Sequence, residues 1–209
     1  AEVFIGKKRQ WYARVGVRVP VLEANHVNAW IGVDVGVRSA VARSDGYLGA
    51  DLRRLLKRSR DRCAMLQRHG RNESREMSPQ RQLLAYEASR VVSVAQRSGQ
   101  GVAIEDPKRL IRWKQHAARF FGERVKLLGA LTGVAVQVIA PPYTSATCSS
   151  CGSVEPRQRH KQTFRCWQCG FTHNADFNAS RNIAKRARYV SCTSQNGSLS
   201  LLSGGGEAE

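Results

Sequence analysis

Residues 30–37 read WIGVDVGV. The run is apolar and β-branched apart from Asp34, and it reads as a strand. A carboxylate left buried and unpaired in such a strand costs on the order of several kcal/mol, so Asp34 must meet a partner or an opening to solvent. Working outward, residues 29–52 (AWIGVDVGVRSAVARSDGYLGADL) predict three short strands joined by tight turns, one of them at Asp45-Gly46. Before them, residues 3–22 alternate apolar and polar and predict a hairpin or edge strand.

Two helices are expected next. The first begins at Asp51, a favoured N-cap residue. It has Leu52, Leu55, Leu56, Cys63 and Leu66 on one face, arginines over most of the rest, and a stop at Gly70. The second has Ser78 at the N-cap and Pro79 at the first helical position, and it ends at Gly99. GVAIED (101–106) then reads as a short strand ending in two acids, and PKRLIRWKQ as a basic loop. A helix is expected near 116–131, a strand within VAVQVIAPP (134–142), a cysteine-rich segment, and a helix from about Asp176 to Tyr189. The Ser- and Gly-rich remainder reads as disordered. This order, a three-strand meander followed by alternating helix and strand, is that of the ribonuclease H fold. The fold class is therefore α/β, a mixed sheet with flanking helices.

The 209 residues suit one domain with an appendage, or two small ones. Lys plus Arg number 34 against 16 Asp plus Glu, a net charge of +18. An excess of this size favours a polyanionic partner, most often nucleic acid. No apolar run approaches the ~20 residues that span a bilayer, and no signal-peptide pattern is present. The chain opens without Met on sequence that already alternates like strands, which suggests part of a longer protein.

Two CxxC pairs, Cys148/Cys151 and Cys166/Cys169, are separated by fourteen residues. That is slightly under the ~15–20 of the common zinc-ribbon pattern. Gly152 and Gly170 follow the pairs and permit the tight knuckle backbone. Four thiolates leave no open position, so one structural Zn²⁺ is expected, with no catalytic role. The competing reading, two redox pairs, lacks a surrounding thioredoxin-like βαβ unit. Cys63 and Cys192 read as plain thiols.

Two further acids repeat the oddity of Asp34. Glu105 ends an apolar strand, and Asp176 stands in NADFNASRNI (174–183), where it equally suits a helix cap. Asp45 and Asp106 read as turn residues. In a ribonuclease H topology the first and fourth strands are neighbours and the last helix packs nearby. Asp34, Glu105 and Asp176 would then converge. Mg²⁺ prefers oxygen ligands, and two ions about 3.5–4 Å apart can activate water and stabilise the leaving oxygen in phosphodiester cleavage.

GVDVGV, VAIED, TSATCSSCG, FRCWQCGF and NADFNASRNI, in this order, resemble the C-terminal half of TnpB (OrfB), the RNA-guided endonucleases of bacterial insertion sequences. Compact type V CRISPR effectors are relatives of that family. The resemblance covers roughly residues 8–186. It implies a RuvC nuclease domain at 29–146 and 174–190, a zinc-ribbon insert at 147–173, remnant wedge-domain strands at 1–28, and a tail at 191–209. It implies Asp34, Glu105 and Asp176 as catalytic Mg²⁺ ligands and the four cysteines as zinc ligands. It further implies guide RNA and target DNA as partners. The setting expected is prokaryotic, cytoplasmic and nucleoid-associated, with no membrane; the oligomeric state stays open, a monomer being favoured. Where the family usually has Asn-Ala-Ala, this chain has Asn178-Ala179-Ser180.

The backbone contacts to nucleic acid are expected from Arg53, Arg54, Lys57 and Arg58 on the first helix and from Lys108, Arg109, Arg112 and Lys114 in the basic loop. The helix charges are equally consistent with a solvated face. Trp113 and Trp167 suit either base stacking or a core. The alternatives to a guided nuclease are a non-catalytic zinc-ribbon protein that binds DNA or RNA, and a transposase or its accessory factor.

Overall fold

The computed structural model describes residues 2–5, 11–14, 16, 19–36, 38–53, 57, 61, 65, 68, 79–109, 112–140, 142–155 and 157–202. Strands β1 (Glu2–Ile5) and β2 (Trp11–Arg14) pair antiparallel as the expected hairpin. Strands β3 (Trp30–Asp34), β4 (Ala42–Arg43), β5 (Gly101–Glu105) and β6 (Val136–Ile139) form one sheet in the order β4-β3-β5-β6. β4 runs antiparallel to β3, whereas β3, β5 and β6 are mutually parallel.

Parallel neighbours need long crossovers, and helices supply them here. Helix α1 (Pro79–Ser98) leads into β5, and α2 (Arg112–Thr132) connects β5 to β6. Both cover one face of the sheet, where Ile31, Val33, Val102 and Ile104 pack with Leu84, Val91, Val92, Phe121 and Val125. Side chains alternate along a strand, so Gly32, Asp34, Ala103 and Glu105 fall on the opposite face. Helix α3 (Ala175–Leu202) lies there, with Ile183 and Ala187 against Ala103. Among the described residues no helix is long and apolar enough to cross a membrane.

Several expectations need correction. The meander keeps only two strands. Its third member is a single bridge, Ala42 to Leu48, which follows the turn at Gly46 (φ 101°); the Arg43 amide still donates to the Tyr47 carbonyl (2.9 Å) and the Gly49 amide to the Val41 carbonyl (2.8 Å). Helix α2 begins at Arg112 rather than near 116, and a 3₁₀ turn at Pro107–Arg109 precedes it, so the basic loop is shorter than expected. The residues after Tyr189 remain helical to Leu202 rather than forming a tail from 191. Residues 191–202 contain one glycine and no proline, serine costs a helix only tenths of a kcal/mol, and the Ser191 hydroxyl donates to the Ala187 carbonyl (3.0 Å).

Other local signals stand. Asp51 Oδ1 accepts from the Arg53 amide (2.8 Å), as an N-cap does, and Gly99 closes α1 at φ 63°. Leu52, Arg53, Lys57, Asp61, Met65 and Arg68 are helical. Leu55, Leu56, Cys63, Leu66, Gly70 and Ser78 lie outside the described residues.

Gly32 decides how closely α3 approaches. A side-chain carbon there would lie 2.0 Å from the Ser180 carbonyl oxygen and 2.5 Å from the Ala184 amide nitrogen. Both are helix backbone atoms that no rotamer change can move. Gly32→Ala is therefore expected to destabilise the protein by at least the ~1–3 kcal/mol typical of overpacking. Thermal unfolding reads this as a midpoint lower by roughly 2–4 °C per kcal/mol.

Candidate active site and metal centre

Asp34 and Glu105 each end their strand, and the parallel register that finishes at Val33–Ile104 sets them side by side. They share the face that α3 covers. Asp176 lies in the first turn of α3. A side-chain carbon on Gly36, two residues beyond Asp34, would sit 3.4 Å from Asp176 Oδ2. The three carboxylates thus come from three elements to the same end of the sheet. All are buried, at 2%, 9% and 6% exposure. They do not meet at one point: among the described residues, the four cysteines are the group of three or more His, Cys, Asp or Glu whose ligand atoms all lie within 4.8 Å.

Asp176 is not the helix cap. That role belongs to Asn174, whose Oδ1 accepts from the amides of Asp176 (2.9 Å) and Phe177 (3.1 Å). The aspartate is thereby left to face the sheet. Arg159 donates to Asp176 Oδ1 at 2.8 Å, and the Thr144 hydroxyl donates to Glu105 Oε1 at 2.5 Å. Neither partner stands out in the sequence, because each reaches its acid only through tertiary contact.

The remaining asparagines tie α3 to the loop before the first CxxC pair. Asn178 Nδ2 donates to the Thr147 carbonyl (2.8 Å) while its Oδ1 accepts from the Ser149 amide (2.8 Å). Asn182 Nδ2 donates to the carbonyls of Thr144 (2.8 Å) and Thr147 (2.7 Å). Lys185 Nζ donates to the Ser149 carbonyl (2.6 Å). A continuous set of hydrogen bonds therefore runs from Glu105 through Thr144 to α3, which carries Asp176.

The cysteines close as expected. Cys148 and Cys169 sulfurs are 3.8 Å apart, and those of Cys151 and Cys166 are 3.6 Å apart. Four sulfurs placed tetrahedrally at a Zn–S distance of about 2.3 Å would be about 3.8 Å apart, so the donor set fits a metal such as zinc. Gly152 (φ 83°) and Gly170 (φ 72°) donate to the carbonyls of Cys148 and Cys166 (2.9 and 3.1 Å), giving two equivalent knuckles. Amide donation, chiefly from Cys169, lowers the Cys166 thiol to about 7. The Cys151 thiol is pushed up to about 12: its bond from Ser153 lowers it, but desolvation and the three other sulfurs outweigh that.

Strands β7 (Arg159–His160), β8 (Thr163–Arg165) and β9 (Thr172–Asn174) form the antiparallel ribbon sheet. β9 runs directly into α3, and Phe164 packs against Cys148, Cys166 and Ala175. Arg38 Nη1 adds a bond to Gln162 Oε1 (2.6 Å).

Of the expected nucleic-acid contacts, Lys57 and Lys108 are exposed. Arg53 is committed to Asp51 at 2.6 Å. Arg54 and Arg58 lie outside the described residues. Arg109 lies in the 3₁₀ turn, and Arg112 and Lys114 lie on α2. Trp167 is exposed rather than part of a core. Cys192 is an exposed thiol.

Residues 120–183 match the family described as Cas12f1-like, TNB domain, and curated relatives carry Cas12f and TnpB-like names. This chain is related to the TnpB and Cas12f proteins. A CRISPR-associated endodeoxyribonuclease Cas12f1 of Sulfoacidibacillus thermotolerans is 49% identical over 53 residues, 25% of this chain and 13% of that protein. A TnpB-like protein of Aquifex aeolicus is 39% identical over 89 residues, 41% of this chain and 26% of that protein. A Cas12f1–sgRNA–target DNA complex contains a chain with the same fold (TM-score 0.59, 21% identity, covering 79% of this chain and 52% of that one). The chain thus spans 13% and 26% of these two curated relatives and about half of the structural one.

Replacing Cys166 by serine is expected to drop bound zinc from about one ion per chain to near none, measured by metal analysis. Amide hydrogen exchange at Ala175–Phe177 should rise with it, because β8 and β9 lose the knuckle that anchors them.

Proposed function

We propose that this chain carries a RuvC-type, ribonuclease H-like nuclease centre of the TnpB and Cas12f kind, which hydrolyses DNA phosphodiesters under RNA guidance. The observation that carries the reading is the arrival of Asp34, Glu105 and Asp176 from β3, β5 and α3 at one end of the sheet. The mixed strand order β4-β3-β5-β6 supports the ribonuclease H-like assignment. The names of the relatives, endodeoxyribonucleases and a guide-bound target complex, support the substrate and partners.

Three buried carboxylates are a hard-oxygen donor set suited to Mg²⁺. Asp34, Glu105 and Asp176 would hold the metal, which when bound supplies a polarised water and neutralises the leaving oxygen. The protein's own groups prepare for this. Thr144 fixes the orientation of Glu105. Arg159, on the ribbon, offsets the charge of Asp176 and lies where a substrate phosphate could compete for it. The ribbon restricts where α3 begins and so where Asp176 sits. Residues 1–28 are proposed as wedge-domain strands and 147–173 as the ribbon insert. Exposed cations such as Lys57 and Lys108 would serve the nucleic-acid backbone.

The discriminating experiment compares wild type with Asp34→Ala in cleavage of labelled single-stranded DNA with Mg²⁺. Activity should fall by more than the roughly 10–100-fold that losing a supporting residue costs a metal site, and Thr144→Val and Cys166→Ser should each lose within that smaller range. Equal cleavage by wild type and Asp34→Ala would leave the non-catalytic ribbon reading instead. Independently of turnover, Mg²⁺ at about 100 times its Kd should stabilise the wild type by about 2.7 kcal/mol, and Asp34→Asn should abolish that thermal shift.

A further inference from the structure

Tyr143 has an unusual backbone. Its φ is 63°, in the left-handed region that is disfavoured for any residue with a Cβ and is an outlier for a bulky one. Arg157 and Lys161 share the region, both beside turns of the ribbon. Tyr143 differs in being a large aromatic that is 68% exposed, so packing of its ring does little to offset the strain.

The strained conformation secures the turn that follows. The Tyr143 carbonyl accepts from the amides of Ala146 (3.1 Å) and Thr147 (2.9 Å) and from the Thr147 hydroxyl (2.7 Å). That turn presents the Thr144 hydroxyl to Glu105 and the Thr144 carbonyl to Asn182. Glycine or asparagine would adopt the same conformation more readily, so the turn by itself does not call for a tyrosine. Strain of this kind persists where function holds it. Here it displays an exposed aromatic ring one peptide unit, about 3.8 Å between Cα atoms, from the residue that orients a carboxylate of the site.

We propose that Tyr143 is a base-stacking residue at the rim of the acidic site, holding the nucleobase beside the phosphodiester that the carboxylates address. The inference rests on the nuclease reading above and names a substrate contact for it. Its ligand is a single-stranded DNA segment, because a base already unstacked presents its π-face at little cost. Stacking on an aromatic ring accepts every base and so adds affinity without adding sequence preference.

The test exploits opposite signs. Tyr143→Gly and Tyr143→Asn relieve the left-handed strain and remove the ring, whereas Tyr143→Phe keeps the ring. Thermal midpoints and binding of a fluorescent single-stranded DNA, with Ca²⁺ replacing Mg²⁺, are measured for all three. Both strain-relieving variants should melt at or above the wild-type midpoint yet bind on the order of tenfold more weakly, and Tyr143→Phe should bind within about twofold of wild type. Scanning an abasic site along the oligonucleotide should find one position where wild type loses that affinity and Tyr143→Gly loses none. Unchanged binding by Tyr143→Gly, a lowered midpoint in both strain-relieving variants, or no binding by wild type each overturns the inference. If Asp34→Ala cleaves like wild type while the abasic result holds, the nuclease reading fails and the stacking contact survives.

Discussion

The candidate site depends on one close approach, the crossing of α3 over β3 at Gly32. Helix backbone lies where a Cβ would otherwise stand, 2.0 Å from the Ser180 carbonyl oxygen. Glycine there gives up some strand stability and admits the helix to near-contact with the sheet. Only at that separation can a carboxylate in the first turn of α3 come down beside the ends of β3 and β5. The small residues around the crossing, Ala103, Ala187 and Ser180, extend the same low relief.

Close approach leaves the relative rotation of helix and sheet open, and polar groups settle it. Asn178, Asn182 and Lys185 use donors and acceptors together to bind the 144–149 loop. Buried amides of this kind are costly when half-satisfied and rigid when fully paired. The loop belongs at one end to the first cysteine knuckle and at the other to Thr144 and Glu105. The four-cysteine ribbon, Glu105 and the helix that carries Asp176 are therefore parts of one hydrogen-bonded unit. The cysteine cluster thereby bears on the geometry of a carboxylate seven residues beyond its last cysteine.

Charge follows the same division. The chain is cationic by 18, yet its centre gathers three buried acids. Arg159 meets one of them from the ribbon side, so the local balance is set by a residue from another sheet rather than by sequence neighbours.

The sequence by itself determined what depends on local spacing and residue type. Two CxxC pairs with following glycines specify a four-sulfur cluster, because a knuckle is a local turn. A carboxylate within an apolar strand flags Asp34, because burial of charge is costly wherever the strand lies. The cap at Asp51 and the stop at Gly99 were legible for the same reason. Only the tertiary structure decided the rest. Asn174 rather than Asp176 caps α3, a choice between two equally suitable residues that rests on which side chain faces the sheet. Residues 47–50 stay hydrogen-bonded beside 40–43 yet form only the single bridge Ala42 to Leu48. Gly32, Thr144 and Arg159 carry no local signal, since each acts across 39 residues or across an element boundary. The strain at Tyr143 is likewise a property of backbone angles, which residue type alone would have argued against.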